Sequence, residues 1–183
     1  MEAFQNAIIE YKDQIEMFSG VPRFSDVGVI FLDSVDMKLG MTPSPMACLD
    51  AIKAYLPELV LKKAQELVDE VGAMNPIIAG DPNSVEAYVT KKKVKDTASA
   101  GLEEYGNRQS YIRSLVNVMD DNAWVPGDQV KALMRMMKDT LASCETNVAL
   151  ADGKEEEETK KFSAYVTEEI PKALKKLGEV REQ

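Results

Sequence analysis

The two concentrations of charge in this chain are Lys91-Lys92-Lys93-Val94-Lys95 and Glu155-Glu156-Glu157-Glu158. A lysine run can attract phosphate or an acidic protein surface. No aromatic residues interleave this one, and its ordinary reading is a solvated helix face. Four glutamates could gather a divalent cation, but consecutive helical residues point in different directions, and the spacing fits no calcium loop. Asp120 and Asp121 head a turn rather than facing each other, which is no arrangement for acid–base work. Met134, Met136 and Met137 could form an adaptable binding surface; the bland alternative places Met134 and Met137 in a helix seam. Trp124, in a Pro-Gly loop, is either a plug over the end of a bundle or a contact residue. No phosphate-cradling glycine loop occurs. These residues nominate no catalytic, cofactor-binding or metal-ligating group.

Composition points the same way. The 183 residues carry 22 Lys+Arg against 31 Asp+Glu, a formal charge of −9, and no histidine. Without histidine there is no Ser-His-Asp or Cys-His nucleophile pair, no histidine-ligated zinc and no imidazole switch within the chain. The acidic balance argues against nucleic acid, which is bound through lysine and arginine. Cys48 and Cys144 each sit in an apolar helical pattern and read as buried free thiols, with a disulfide as the alternative. The first residues lack the basic start and apolar stretch of a secretory leader. No apolar run reaches the ~20 residues that cross a bilayer. The expected location is the cytoplasm.

The elements that position these residues follow from periodicity. Phe4, Ala7, Ile8, Tyr11, Ile15 and Phe18 recur at steps of three and four, an amphipathic helix stopped by Gly20 and Pro22. Val27–Leu32 is a β-branched and aromatic run, the one convincing strand. Its partner is either a return arm within 33–42 or a segment outside the chain. Thr42-Pro43-Ser44-Pro45 predicts a helix start, with Ser44 as cap and Pro45 at the first position. The helix over 44–75 is expected to kink near Pro57, or to be two helices meeting there. A loop from Asn75 to Asn83 precedes a third helix over 83–121, capped by Asn83 or Ser84. Its seam reads Ala98, Leu102, Tyr105, Gln109, Ile112, Val116, Met119, alternating steps of four and three. Gly101 and Gly106 each cost that helix about 1 kcal/mol relative to alanine.

After a turn at 120–127, a long helix over 128–180, capped by Asp128, carries the seam Val130, Met134, Met137, Leu141, Cys144, Val148, Ala151. The seam resumes at Phe162, Val166, Ile170, Ala173 and Leu177. Between them, Asp152–Lys161 has no large apolar residue, and the i,i+4 pairs Glu156–Lys160 and Glu157–Lys161 can sustain a solvated helix. Gly153 and Pro171 are the breaks to be expected. A continuous helix over 128–178 would be about 77 Å long, against about 40 Å for a compact globule of this size. The fold class is therefore mainly α: an elongated antiparallel bundle of coiled-coil-like helices, with one short β element near 27–32. It is read as one segment over 1–183, in which the 98–119 and 130–151 seams pair.

Three stretches, in order, resemble the tail of an axonemal dynein heavy chain. The first is Val27–Pro57. There a short strand ends in Leu32-Asp33, Lys38 follows, then Pro43-Ser44-Pro45, Cys48-Leu49 and a helix reaching Leu56-Pro57. The second is Ser84–Asp128, a helix, a turn and the Val125-Pro126 loop. The third is Lys160–Leu177, where Lys161-Phe162-Ser163 is followed by Ile170 and Leu174. From Val27 to Leu177 the resemblance spans about five sixths of the chain. Departures from the family pattern are Val35-Asp36 in place of an arginine after the Leu-Asp step, Lys91–Lys93 in a stretch more apolar in the family, and Gly101 and Gly106.

The resemblance implies a stem segment upstream of the linker and motor of an AAA+ ATPase whose catalytic modules lie outside this sequence. The segment would serve heavy-chain assembly, docking and force transmission in microtubule-based ciliary motility, without enzyme activity of its own. Its implied partners are other heavy-chain tail segments, intermediate and light chains, and doublet-microtubule docking proteins, with no nucleic acid and no membrane. Its implied location is the cytoskeleton of the ciliary or flagellar axoneme. A free-standing helical adaptor or coiled-coil dimerisation module, unrelated to dynein, is the alternative.

Overall fold

A computed structural model describes residues 2–28, 30–172 and 175. The chain is mostly helical: four long helices pack together beside one small two-stranded antiparallel sheet. In order the elements are α1 (Glu2–Gly20), β1 (Phe24–Val27), β2 (Ile30–Asp33), α2 (Val35–Met41), α3 (Pro43–Ala79), α4 (Val85–Asp121) and α5 (Asp128–Ala164). A π-helical turn, Tyr165–Glu169, follows α5. The chain divides into two compact units, Met1–Gln65 with Arg108–Met134, and Glu66–Asn107 with Arg135–Gln183.

The first unit buries Ile8 and Phe18 of α1, Leu56, Val60 and Ala64 of α3, Ile112, Leu115, Val118 and Met119 of α4, and Val130 of α5. Its sheet corrects the expectation of one strand over 27–32. That run is broken by a turn, and the partner is the preceding segment: Phe24 faces Asp33 and Val27 faces Ile30 in an antiparallel hairpin. Gly28, at φ 65°, supplies the left-handed conformation that a two-residue hairpin turn requires. Residues 33–42 do not form a return arm. After Asp33 they turn into α2, where the Asp33 carboxylate accepts the Val35 N–H at 3.0 Å.

Ser44 does not cap α3 either. Thr42 is itself helical, and its N–H donates to Lys38 O at 3.0 Å, so the chain enters α3 directly from α2. The structural role falls to Pro43 and Pro45, whose missing N–H groups interrupt the ladder between the two helices. At its other end α3 runs past Asn75 and Pro76 to Ala79, where the Gly80 N–H closes onto Pro76 O at 3.1 Å.

The turn after α4 is built on Ala123. Its N–H donates to Asp120 O at 2.9 Å and the Trp124 N–H to Met119 O at 2.8 Å, with Ala123 at φ 56°. This is a Schellman closure with alanine where glycine is usual. Lys12 reaches the same turn, donating to Asn122 Oδ1 at 2.6 Å.

The second unit buries Leu67, Val71 and Ile78 of α3, Ala98 and Tyr105 of α4, and Met137, Leu141, Cys144, Val148, Ala151 and Phe162 of α5. The α4 start is capped by Ser84, whose Oγ accepts the Ala87 N–H at 3.1 Å. Gly101 gives room to Tyr105. A Cβ there would lie 2.8–2.9 Å from the tyrosine ring and hydroxyl, which fold back over the preceding turn.

Gly153 lies inside α5 without ending it. The irregularity comes at Tyr165–Glu169, ahead of Pro171, where the Ile170 N–H donates to Tyr165 O, five residues back. Pro171 lacks the N–H that would bond to residue 167, and its ring crowds that carbonyl; a wider turn relieves both. The seam expected to continue past Phe162 does not, because Val166 and Ile170 are exposed. Ala173 and Leu177 lie outside the described residues.

Candidate functional site: an interhelical charge layer and an apolar hairpin

The lysine run is a solvated face only in part: Lys92 and Lys93 are exposed, whereas Lys91 and Lys95 are buried. Counting back from Ala98 in steps of three and four, the α4 seam passes through Lys95, Lys91 and Tyr88. Counting forward from Ala151, the α5 seam passes through Glu155, Glu158 and Phe162. These positions meet. Lys91 is 6% exposed and Lys95 7%. Lys91 Nζ donates to Glu158 Oε1 at 2.8 Å. Lys95 Nζ donates to Asp152 Oδ1 at 2.8 Å and Glu155 Oε2 at 2.6 Å, with Asp96 Oδ1 at 3.3 Å. Lys92, more exposed, bonds the other oxygen of Glu155 at 2.8 Å. Beyond them Tyr88 Oη and Thr159 Oγ1 share a hydrogen bond of 2.6 Å, and the Tyr88 and Phe162 rings stack at 5.0 Å. The contacts pair 88 with 159 and 162, 91 with 158, and 95 with 152 and 155, so α4 and α5 run antiparallel here.

An ammonium has three donors, and those of Lys95 meet three carboxylates. The hydrogen bonds to Asp152 and Glu155 outweigh desolvation and push its pKa up. Hydrogen bonds from Lys92 and then Lys95 hold the Glu155 carboxyl down to about 2. A nucleophilic or Schiff-base lysine needs the opposite shift. The layer is built to keep its charges, not to transfer protons.

Among the described residues, no group of three or more Cys, Asp or Glu side chains is placed to hold a metal ion. Asp120 lends its carbonyl to the Ala123 turn. Met137 is buried, Met134 half-buried and Met136 exposed, so the three methionines share no surface. Trp124 is half-buried beside the exposed Val125. Both cysteines are free thiols. Burial pushes the Cys144 thiol up. Cys48, contrary to expectation, is only half-buried, and its hydrogen bond with Tyr11 raises the tyrosine's pKa.

The second feature was not foreseen. In the hairpin, Phe24 and Phe31 share one face while Ile30 and Leu32 share the other, and all four are exposed, Phe31 at 77%. Met37, Leu39 and Met41 of α2 and Met46 of α3 are exposed as well. Leu39, Pro43 and Met46 border an open groove of about 540 Å³ at the α2–α3 junction. A strand apolar on both faces is the pattern of a covered sheet. A further groove of about 510 Å³ lies between the α4 start and the π turn, lined by Pro82, Val85, Phe162, Tyr165 and Ile170.

No family model matches the chain. Over 180 residues, however, it is 18% identical to dynein axonemal heavy chain 6 of Homo sapiens. It is similar to a stretch of a dynein heavy chain. The match takes in 98% of this chain and 4% of the heavy chain's length. The likeness to the dynein chain is weak in identity and runs nearly end to end. A small, mostly helical segment is consistent with it. No helix among the described residues is long and apolar enough to cross a membrane.

Proposed function

We propose that this chain is a structural and interaction segment of an axonemal dynein heavy-chain tail, serving heavy-chain assembly, docking and force transmission in ciliary motility. The observation that carries this reading is the similarity to an axonemal heavy chain along 98% of the sequence. Local matches to generic helical patterns would cover parts of it only. Physical chemistry is in keeping. Long packed helices transmit load, and their charge layer holds its protons rather than exchanging them. The apolar hairpin and α2 offer the sort of surface that a neighbouring tail segment, an intermediate or light chain, or a doublet docking protein would cover. The chain would then reside in the axoneme.

Two measurements test the proposal. The transcript encoding these residues should continue in frame into nucleotide-binding modules of a motor. An epitope tag placed within the segment should fractionate with axonemes and co-extract with dynein intermediate chains. A message ending shortly after Gln183, together with a tagged product absent from axonemes, would refute the dynein reading and leave a free-standing adaptor.

A further inference from the structure

The interface between α4 and α5 changes character along its length. Ala98 and Tyr105 on α4, and Cys144, Val148 and Ala151 on α5, are buried seam residues without a charge. Outward of Ala98 and Ala151 the same positions are Lys95, Lys91, Glu155 and Glu158. Apolar burial drives closure in proportion to area. A partly buried ion pair recovers little more than its desolvation cost, yet losing one partner is expensive.

We propose that the outer ends of α4 and α5, residues 85–97 and 152–164, form a unit that opens on its own. An electrostatic latch, Lys91 and Lys95 on Asp152, Glu155 and Glu158, holds it shut, while the apolar seam inward of Ala98 and Ala151 stays closed. Neighbouring groups reinforce the assignment. Asp96 and Lys92 on α4 add one charge of each sign to the layer. Lys154 of α5 lies 3.8 Å from Asp81, and both are exposed. Tyr88 and Phe162 add an aromatic stack across the outer ends. The unit also has natural limits: the Pro82 loop before α4 and the π turn after Ala164. Opening would uncover Phe162, now 7% exposed, and the groove it lines. None of this depends on the dynein reading.

Native-state hydrogen exchange of the whole 183-residue chain, read by mass spectrometry, tests the latch. The amides to follow are 89–97 and 152–164, which have intrahelical acceptors, against 98–105 and 141–151. The outer amides should exchange at least about tenfold faster than the inner ones, as for a sub-global opening. Lys95→Met removes the cation shared by Asp96, Asp152 and Glu155, leaving Glu155 with Lys92 alone, and should speed outer exchange by a further ~10-fold, leaving inner rates unchanged. Should that variant fold poorly, a quadruple variant decides: Lys91→Leu, Lys95→Leu, Glu155→Leu and Glu158→Leu together make the four seam positions apolar, leaving the more exposed Lys92, Asp96 and Asp152 to water, and outer exchange should slow to the inner rate. Outer and inner amides exchanging in unison in the wild type would overturn the proposal. So would a leucine layer that leaves outer exchange as it was.

Discussion

Gly101 and Gly106 sit one and a half turns apart in α4 and invite the same substitution with opposite results. Alanine in a helix interior is worth about 1 kcal/mol over glycine. At Gly106 nothing lies within 4 Å of a new Cβ, so Gly106→Ala should gain most of that amount. At Gly101 the new carbon would stand 2.8 Å from Tyr105 Cζ and 2.9 Å from its Cε2 and Oη. Ordinary carbon contacts are about 3.5–4.0 Å, so the ring must retreat by close to 1 Å. Tyr105 is 5% exposed and packed on its far side, where overpacking of this kind costs about 1–3 kcal/mol. The helix gain is then cancelled or exceeded, and the two variants should differ by about 1–3 kcal/mol. For a chain of this size 1 kcal/mol moves Tm by roughly 2–4 °C, so thermal and urea denaturation resolve the difference. If Gly101→Ala stabilises the chain as much as Gly106→Ala, Tyr105 is not pinned against that backbone and the account of Gly101 is wrong.

Three further outcomes can be measured by the same means. Ala123→Gly should raise stability by about 0.5–1 kcal/mol, because glycine holds the left-handed Schellman position without a Cβ penalty; a loss would mean that the turn is not limited by φ. Ser84→Ala removes the bond to the Ala87 N–H and should cost about 1 kcal/mol, whereas Ser84→Asp should retain it. The charge layer sets the pH dependence. Glu155 titrates near 4.5 when unfolded and near 2 when folded, so its contribution is complete above about pH 4.5 and is lost as pH falls toward 2. Lys95, raised above 10.5, contributes fully below that value and loses its share as pH rises through the raised pKa. Glu155→Gln should flatten the acid limb of a plot of denaturation midpoint against pH; an unchanged limb would contradict the assignment.

Helix existence was legible wherever apolar residues kept phase. Ile112 and Met119 on α4, and Val130, Met137, Leu141, Cys144, Val148 and Ala151 on α5, were all expected in a seam and all are buried. The charge layer was missed for a definite reason. A seam lysine has the same identity as a surface lysine, and only phase separates them. Tyr88, Lys91, Lys95 and Ala98 keep the three–four alternation, as do Ala151, Glu155, Glu158 and Phe162, and the two sets carry opposite charge. That combination was the available signal. Val166 and Ile170 were misplaced for the converse reason. A π turn adds a residue to the helical repeat, so a seam extrapolated at the α period leaves the buried face. The hairpin was obscured because Val27–Leu32 is continuous in hydrophobicity, and Gly28 alone marks the reversal.

That hairpin also governs how the chain behaves at high concentration. The outer edge of Ile30–Asp33 offers unpaired backbone groups flanked by Ile30, Phe31 and Leu32 in solvent, a template for strands from other molecules. The net charge of −9 keeps molecules apart at a distance, but at physiological salt it is screened beyond about 8 Å. Colloidal lifetime is thus uncoupled from folding stability: sheet-rich aggregates can grow from this corner while every helix remains intact. A charged residue in place of Phe31 would improve solubility without strengthening the fold at all.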